Sequence, residues 1–325
     1  MILICGGAGY IGSHVNKLIS AEGEKTLVAD NLVRGHREFC RWGEFEQGDI
    51  GDAEFLDGVF SRHKIRAVMH LCAYTYVGES VQKPEMYYDN NLKNTVTLLN
   101  AMARHGVKNF IFSSTAAVFG AAKELPLTEK SPLAPVNPYG RSKLMVETLL
   151  PDYEKAHGLR SVCLRYFNAA GADPEAETGE WHTPETHLIP LALDAAAGLR
   201  PSLEIFGKDY PTADGTCVRD YIHVNDIAQA HLLALSYLEK GGKSDCFNMG
   251  NGKGFSIMEV LKTAEAVTGK NIPVNFGARR PGDPPALVAS SELCRATLGW
   301  KPRHAELSDI IETAWRWHRK LDRMR

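Results

Sequence analysis

The chain has 325 residues, 44% of them hydrophobic and 23% charged, with a formal net charge of −2 at pH 7. This is the balance of an ordinary globular protein, and it removes the electrostatic basis for a nucleic-acid or membrane-surface binder. Seven cysteines at 5, 40, 72, 163, 217, 246 and 294 form no CxxC and no metal-like cluster, so a reduced, cytoplasmic protein without a metal is expected.

Met1 is followed at once by Ile-Leu-Ile-Cys, so no signal peptide is expected. No apolar run approaches the ~20 residues that a membrane-spanning helix needs. Short β-like runs at 2–5, 26–29, 67–71, 109–113 and 161–164 alternate with helix-like stretches such as 13–21 and 92–103. Alternation of this kind predicts a parallel sheet flanked by helices. The second half, with Pro and Gly clusters at 198–201 and 279–285, reads as a smaller α/β region over the sheet's carboxyl edge. The expected division is 1–165 and 166–325, with later segments free to return to the first sheet.

Gly6-Gly7-Ala8-Gly9-Tyr10-Ile11-Gly12 follows the first β-like run and opens a helix. Gly6, Gly9 and Gly12 spell GxxGxxG, in which glycine permits a tight turn and close approach of backbone to a pyrophosphate at the helix N-terminus. Asp30 ends the next run, 18 residues past Gly12. A carboxylate there accepts hydrogen bonds from ribose hydroxyls and repels a 2′-phosphate, which favours NAD over NADP. Arg34 is the nearby residue able to accommodate that phosphate. Asp49 and Ile50, after a further β-like run, can flank an adenine. Strand, glycine loop, helix and acid together predict a Rossmann-type doubly wound sheet with a second, smaller α/β domain.

His70-Leu71-Cys72-Ala73 ends the fourth strand and would set small side chains beside the cofactor. Of Ser80, Tyr88, Asn90, Asn91 and Asn94, all but Asn90 read as caps and solvated helix surface. Phe110-Ile111-Phe112 leads into Ser113-Ser114-Thr115 at a strand's carboxyl end, the edge where open α/β sheets bind ligands. Tyr139-Gly140-Arg141-Ser142-Lys143 then opens a helix behind Pro138, 24 residues past Thr115. Tyr139 and Lys143 are four apart and share a helix face. A phenol is a poor base at its ordinary pKa of ~10. A neighbouring ammonium or a cationic cofactor ring favours the phenolate, so the pair can take a proton from a substrate hydroxyl that Thr115 helps to hold. An incidental Tyr and Lys on a solvated helix face has the same spacing.

Taken together these residues resemble the extended short-chain dehydrogenase/reductase superfamily, and within it the UDP-glucose 4-epimerase family. The resemblance runs from GGAGYIGSH at 6–14 to TAWRWH at 313–318. Between them lie VGESVQKP, YYDNN, IFSSTAAVFG, NPYGRSKLMVE, LRYFNAAGA, DYPTADGTCVRDYIHV and ARRPGDPPALVAS. It implies interconversion of UDP-galactose and UDP-glucose in galactose metabolism, by oxidation at C4, rotation of the 4-keto sugar and hydride return, with NAD kept in place. Tyr139 would be the base, Lys143 its electrostatic partner and nicotinamide-ribose anchor, and Thr115 the completing hydroxyl. With Tyr139 and Lys143, the resemblance assigns NAD to Gly6, Gly9, Tyr10, Ile11, Gly12, Asp30, Asn31, Asp49, Ile50, Leu71, Cys72, Ala73, Asn90, Ser113 and Phe167. With Thr115 and Tyr139, it assigns the UDP-hexose to Asn168, His187, Leu188, Phe206, Arg219, Arg280 and Asp283. Phe206 would lie along the uracil and Asp283 on a uridine-ribose hydroxyl. Arg219 and Arg280 would grip the diphosphate, as forked guanidinium donors suit. A homodimer would pair the helices near 92–103 and 144–153 across a two-fold axis, although their apolar stripes also suit packing on the sheet.

Some positions depart from that pattern. Thr75 stands where some relatives carry a lysine near the cofactor phosphates, Phe119 replaces a frequent tyrosine, and His187 replaces an asparagine. Leu287 lies where a residue gates sugar size, which implies preference for the unacetylated pair. A nucleotide-sugar 4,6-dehydratase would have Asp-Glu after Thr115, where this chain has Ala116-Ala117. A UDP-glucuronate decarboxylase would want a cation for the sugar carboxylate, and none is assigned. A 4-epimerase of UDP-pentose or UDP-glucuronate stays open. A dinucleotide-sensing regulator has no need of Thr115, Tyr139 and Lys143 together.

Overall fold

A computed structural model describes residues 1–121, 124–280 and 283–323; Pro281 and Gly282 of the ARRPGDPPALVAS stretch lie outside them. In chain order the strands are β1 (Ile2–Cys5), β2 (Thr26–Asp30), β3 (Glu44–Gln47), β4 (Ala67–His70), β5 (Asn109–Thr115), β6 (Arg160–Tyr166) and β7 (Asn168–Ala170). They continue as β8 (Leu203–Phe206), β9 (Val218–His223), β10 (Asp245–Met249), β11 (Gly254–Ser256), β12 (Val274–Gly277) and β13 (Ala286–Leu287).

Seven strands form one wholly parallel sheet in the order β10-β6-β5-β4-β1-β2-β3. This is the expected Rossmann-type doubly wound sheet. Side chains alternate across it, as strand geometry requires. Ile2 and Ile4 enter one core layer with Val15, Ile19, Ile227 and Leu235, from the helices Tyr10–Ala21 and Val224–Glu239. Leu3 and Cys5 enter the other with Leu56, Leu98 and Val146, from Ala53–Arg62, Asn94–Arg104 and Pro138–His157. Strand order reverses between β1 and β4, and the crevice outside their carboxyl ends is where such sheets bind ligands. The glycine loop follows β1 there, and Leu71–Ala73 follows β4.

The second half builds a sheet of β11-β9-β13 with β7 beside β9, and a two-stranded sheet of β12 and β8. Leu193, Ile205, Val260 and Ile310 sit in its own core. β10 returns to the first sheet and pairs β6 from Asp245↔Val162 to Met249↔Tyr166.

β5 and β6 run further than their apolar cores, in register from Asn109↔Arg160 to Thr115↔Tyr166. Backbone pairing carries the strands through Ser113, Ser114 and Thr115, which supply no hydrophobic signal. A π-turn at Asp89–Lys93 precedes the helix Asn94–Arg104, which therefore begins later than its apolar pattern.

Candidate active site

Gly6 has φ +83°, and a Cβ there would lie 2.5 Å from the Cys72 backbone nitrogen. A Cβ on Gly12 would lie 2.1 Å from the Gly6 carbonyl oxygen. Glycine alone lets the loop after β1 close against the loop after β4. Gly9 caps the helix Tyr10–Ala21 with no side-chain bond, and no acidic residue stands in the first turn, so no side chain of the helix itself offsets the positive end of its dipole. Tyr10 donates its hydroxyl to the Gly171 carbonyl at 2.6 Å, and Ile11 packs on the core.

The buried Asp30 carboxylate accepts N–H bonds from Ala8 at 3.0 Å and Leu32 at 2.9 Å. Burial pushes its pKa up, against those two bonds. Asn31 donates to Asp49 at 2.8 Å, Asp49 accepts from the Gly51 N–H at 2.7 Å, and Ile50 is buried beside them. Arg34 is turned to another purpose: its guanidinium lies 2.9 Å from Glu79, between the rings of Tyr74 and Tyr76 at 5.0 and 4.8 Å.

Asn91 corrects its reading as solvated surface. It is fully buried, and its carbonyl oxygen accepts from the Tyr74 N–H at 2.9 Å and from Asn90 at 3.0 Å. Its amide donates to the Tyr74 carbonyl at 2.9 Å and to Ser142 at 3.2 Å. Ser80 is likewise buried, and the partly buried Asn94 donates to Asp49 at 3.3 Å. The π-turn breaks the 3.6-residue period across Asp89–Lys93, so an α-helical wheel does not place Asn91. Ser80 lies earlier, in the helix Val77–Gln82, and donates to the Val77 carbonyl at 2.7 Å.

Tyr139 and Lys143 occupy the first turns of the helix Pro138–His157, behind an Asn137 side chain that accepts from the Gly140 N–H at 2.8 Å. Gly140 lets this helix approach the turn after Thr115, since a Cβ there would lie 2.6 Å from the Ala117 carbonyl oxygen. Both side chains are buried. Lys143 donates to the Ser113 carbonyl at 2.8 Å and lies 4.7 Å from the centre of the Phe112 ring. Burial pulls its pKa down to about 8. Burial pushes the Tyr139 phenol up, and the neighbouring Thr115 hydroxyl opposes this. Ser113 reaches Lys143 through its backbone, because its hydroxyl lies 3.2 Å from His231 on the other side. Phe167 packs with Ala116, Val118 and Phe119, and Leu287 leans on that cluster. Thr75 is exposed on the loop before Tyr76.

On the second half, Asn168 opens β7 opposite Tyr221 of β9. Arg219 of β9 is ion-paired with Asp283, and Leu287 lies beside it in register on β13. The Arg280 guanidinium lies 4.1 Å from the ring centre of Phe206, at the end of β8. His187 precedes the helix Leu188–Ala196, and Leu188 packs on the second core. Most of the assigned residues thus form one group around the crevice and a second on β7, β8, β9 and the segment before β13, while His187 and Leu188 stand at the start of the helix Leu188–Ala196. The Ala116–Phe119–Phe167–Leu287 cluster joins the two.

The model of the NAD dependent epimerase/dehydratase family matches residues 2–250. The UDP-glucose 4-epimerase of Lacticaseibacillus casei is 52% identical over 318 residues, covering 98% of this chain and 96% of that one. The chain belongs to the NAD dependent epimerase/dehydratase family. The solved UDP-glucose 4-epimerase of Brucella ovis, in complex with NAD, superposes with a TM-score of 0.95 at 47% identity and 98% coverage of both chains. That of Bifidobacterium longum, in complex with NAD+ and UDP, gives 0.92 at 36% identity, again with 98% of both chains covered.

Two constellations in this family member escape a motif reading. Arg165 of β6 and Glu147, one and two turns beyond Lys143 and Tyr139 on their helix, form a buried ion pair at 2.5 Å. The i, i+4, i+8 spacing of Tyr139, Lys143 and Glu147 was the available signal. The other is a loop cluster of Glu180, His182, Glu185 and His187, whose ligand atoms lie within 4.8 Å of one another. His187 lies 2.8 Å from Glu180 and 2.9 Å from Glu185; His182 lies 3.3 and 3.4 Å from the same carboxylates. Burial alone would lower both imidazole pKa values, but the carboxylates outweigh it and raise His182 to about 9 and His187 to about 10. Folded-state values above the ordinary ~6.5 mean that the charged cluster's stabilisation is complete below that pH. It is lost as pH rises through about 9 to 10. A His182→Gln/His187→Gln variant should therefore lose less melting temperature than the parent between pH 6.5 and 10. Parallel curves would contradict the assignment.

Proposed function

We propose that this chain is an NAD-dependent UDP-glucose 4-epimerase, an isomerase that interconverts UDP-galactose and UDP-glucose in galactose metabolism. The observation that carries this reading is the convergence of Tyr139, Lys143 and Thr115 at the carboxyl edge of the parallel sheet, the edge at which the glycine loop also leaves β1. The family and the relatives, which are NAD-bound UDP-glucose 4-epimerases in two solved cases, point the same way.

The residues around the crevice suit NAD. Gly6, Gly9 and Gly12 leave room for a pyrophosphate at the helix N-terminus, and Asp30 offers a carboxylate to ribose hydroxyls. Arg34, balanced by Glu79, is not turned toward a 2′-phosphate. Bound NAD would supply an acceptor for the hydride of the sugar C4 and a donor for its return. Tyr139 takes the proton of the 4-hydroxyl and gives it back once the 4-keto sugar has turned about its diphosphate link. Lys143 holds a positive charge beside the phenol, and Thr115 orients the reacting oxygen. Arg219 and Arg280 would supply the forked donors for the diphosphate, while Phe206, Asp283 and Asn168 would hold the nucleotide. The His187 imidazole is taken by Glu180 and Glu185, and Leu188 by the second core. Firm grip on UDP with few charged groups around the hexose suits a sugar that must rotate. After Thr115 stand Ala116 and Ala117, which offer no acid or base for a dehydratase's elimination.

Two functional units, 1–165 for NAD and 166–325 for the UDP-sugar, with β10 returned to the first, fit this division. We read the helices Asn94–Arg104 and Pro138–His157 as the homodimer contact, tied to each other by the Tyr153–Asn100 bond of 2.7 Å and leaving Met145 exposed. No helix among the described residues is long and apolar enough to cross a membrane, and the scattered cysteines suit a reducing cytoplasm.

Tyr139→Phe should lower conversion of UDP-galactose by about 10²- to 10⁴-fold while the purified protein keeps its NAD. Full activity in that variant, assayed by coupled UDP-glucose formation, would overturn the reading. Leu287, against the cluster beside Thr115, limits the sugar pocket, so UDP-N-acetylglucosamine should turn over more slowly than UDP-glucose. Equal rates would remove Leu287 as a size gate.

A further inference from the structure

Tyr139, Lys143 and Glu147 lie on one face of the helix Pro138–His157, all of them buried. The Glu147 side chain is only 4% exposed. It accepts the Ser114 hydroxyl at 2.5 Å and the Arg165 guanidinium through Nε at 3.0 and 3.1 Å and Nη2 at 2.5 Å. Arg165 is 4% exposed and sits directly opposite Ser114 in the β5–β6 register. Its guanidinium also lies 5.5 Å from the ring centre of Phe119, in the turn Ala116–Phe119. Thr115 stands between these anchored points, and its hydroxyl caps that turn by accepting the Ala117 N–H at 3.1 Å. One carboxylate from the helix that carries Tyr139 therefore holds the two strands and, through Arg165, the turn that together carry Thr115.

Stability alone is a poor reason for such a pair. Desolvating two charges offsets much of their attraction, and well-packed apolar residues of similar volume often serve folding as well or better. What the ion pair adds is direction. A forked guanidinium on a carboxylate fixes distance and angle at once, and the Ser114 hydroxyl extends that constraint to the residue before Thr115. Reaction rates are sensitive to such placement, since a displacement near 1 Å can cost about 100-fold.

We propose that Glu147 and Arg165 are positioning residues of the epimerase, a buried clamp that sets the Thr115 hydroxyl against the Tyr139 phenol. The role rests on the functional reading given above. Neither residue touches substrate; both act through Ser114 and the turn that Thr115 caps.

The test is a double-mutant cycle on kcat for UDP-galactose, with NAD content and KM measured alongside. Glu147→Gln keeps an acceptor for Ser114 and removes the charge that orients Arg165. It should lower kcat by about 10- to 100-fold, with KM and bound NAD within about twofold of the parent. In a Thr115→Val background the same substitution should cost less than about threefold, because the group it positions is already gone. Multiplicative effects, or an unimpaired kcat in Glu147→Gln, would overturn the clamp. A Glu147→Leu/Arg165→Met variant separates placement from folding: a folded, NAD-loaded and slow protein supports the clamp, and a folded, fast one overturns it. If that variant does not fold, the cycle with Glu147→Gln decides. An unmodified protein that does not convert UDP-galactose would overturn the functional reading and this role with it. An active parent with additive variants overturns the clamp alone.

Discussion

The buried ammonium of Lys143, held on the Ser113 carbonyl, is the constraint on which the rest of the site depends. A charge taken out of water is costly unless its hydrogen bonds are met, and its preferred response is to lose its proton. Here burial does pull the Lys143 pKa down, and a backbone carbonyl and the Phe112 ring face supply part of what water would. That arrangement places a cation within one helical turn of the Tyr139 phenol, in a setting where Coulomb interactions are strong. It also ties the helix Pro138–His157 to the backbone of β5.

Around this point the fold separates two tasks. The parallel sheet, with its switch point between β1 and β4, presents rigid backbone to the cofactor, and glycine at positions 6 and 12 allows contacts that any side chain would block. The second half carries the cations and aromatic groups suited to a nucleotide diphosphate. The two are not merely tethered. Tyr10 bonds to Gly171, and β10 completes the first sheet, so the glycine loop and the second half share one scaffold. A site that holds one end of its substrate and lets the other end turn needs that rigidity.

Local patterns were legible in the sequence, and contacts made across strands were not. The glycine loop, Asp30 at the end of β2 and the Tyr139–Lys143 pair are encoded by short spacings that strand and helix geometry convert directly into positions. Family resemblance added Arg219, Arg280, Asp283 and Phe206, but not that Arg219 pairs with Asp283 or that Arg280 covers Phe206. Arg165 and Glu147 meet only because β5 and β6 pair in one register. Asn91 looked like surface because a wheel of α-helical period cannot show a π-turn. Arg34 looked available for a phosphate because Glu79, 45 residues away, is brought to it by the fold. In each miss, a polar residue found its partner through tertiary structure.

In the proposed reaction one site oxidises C4 and then reduces the same carbon without releasing what it removed. The direct test is conversion of UDP-galactose carrying deuterium at C4, in ordinary water, by protein purified with no cofactor added. The UDP-glucose formed should keep its deuterium at C4. Product with the label lost to solvent would contradict it, because the hydrogen would then have left as a proton.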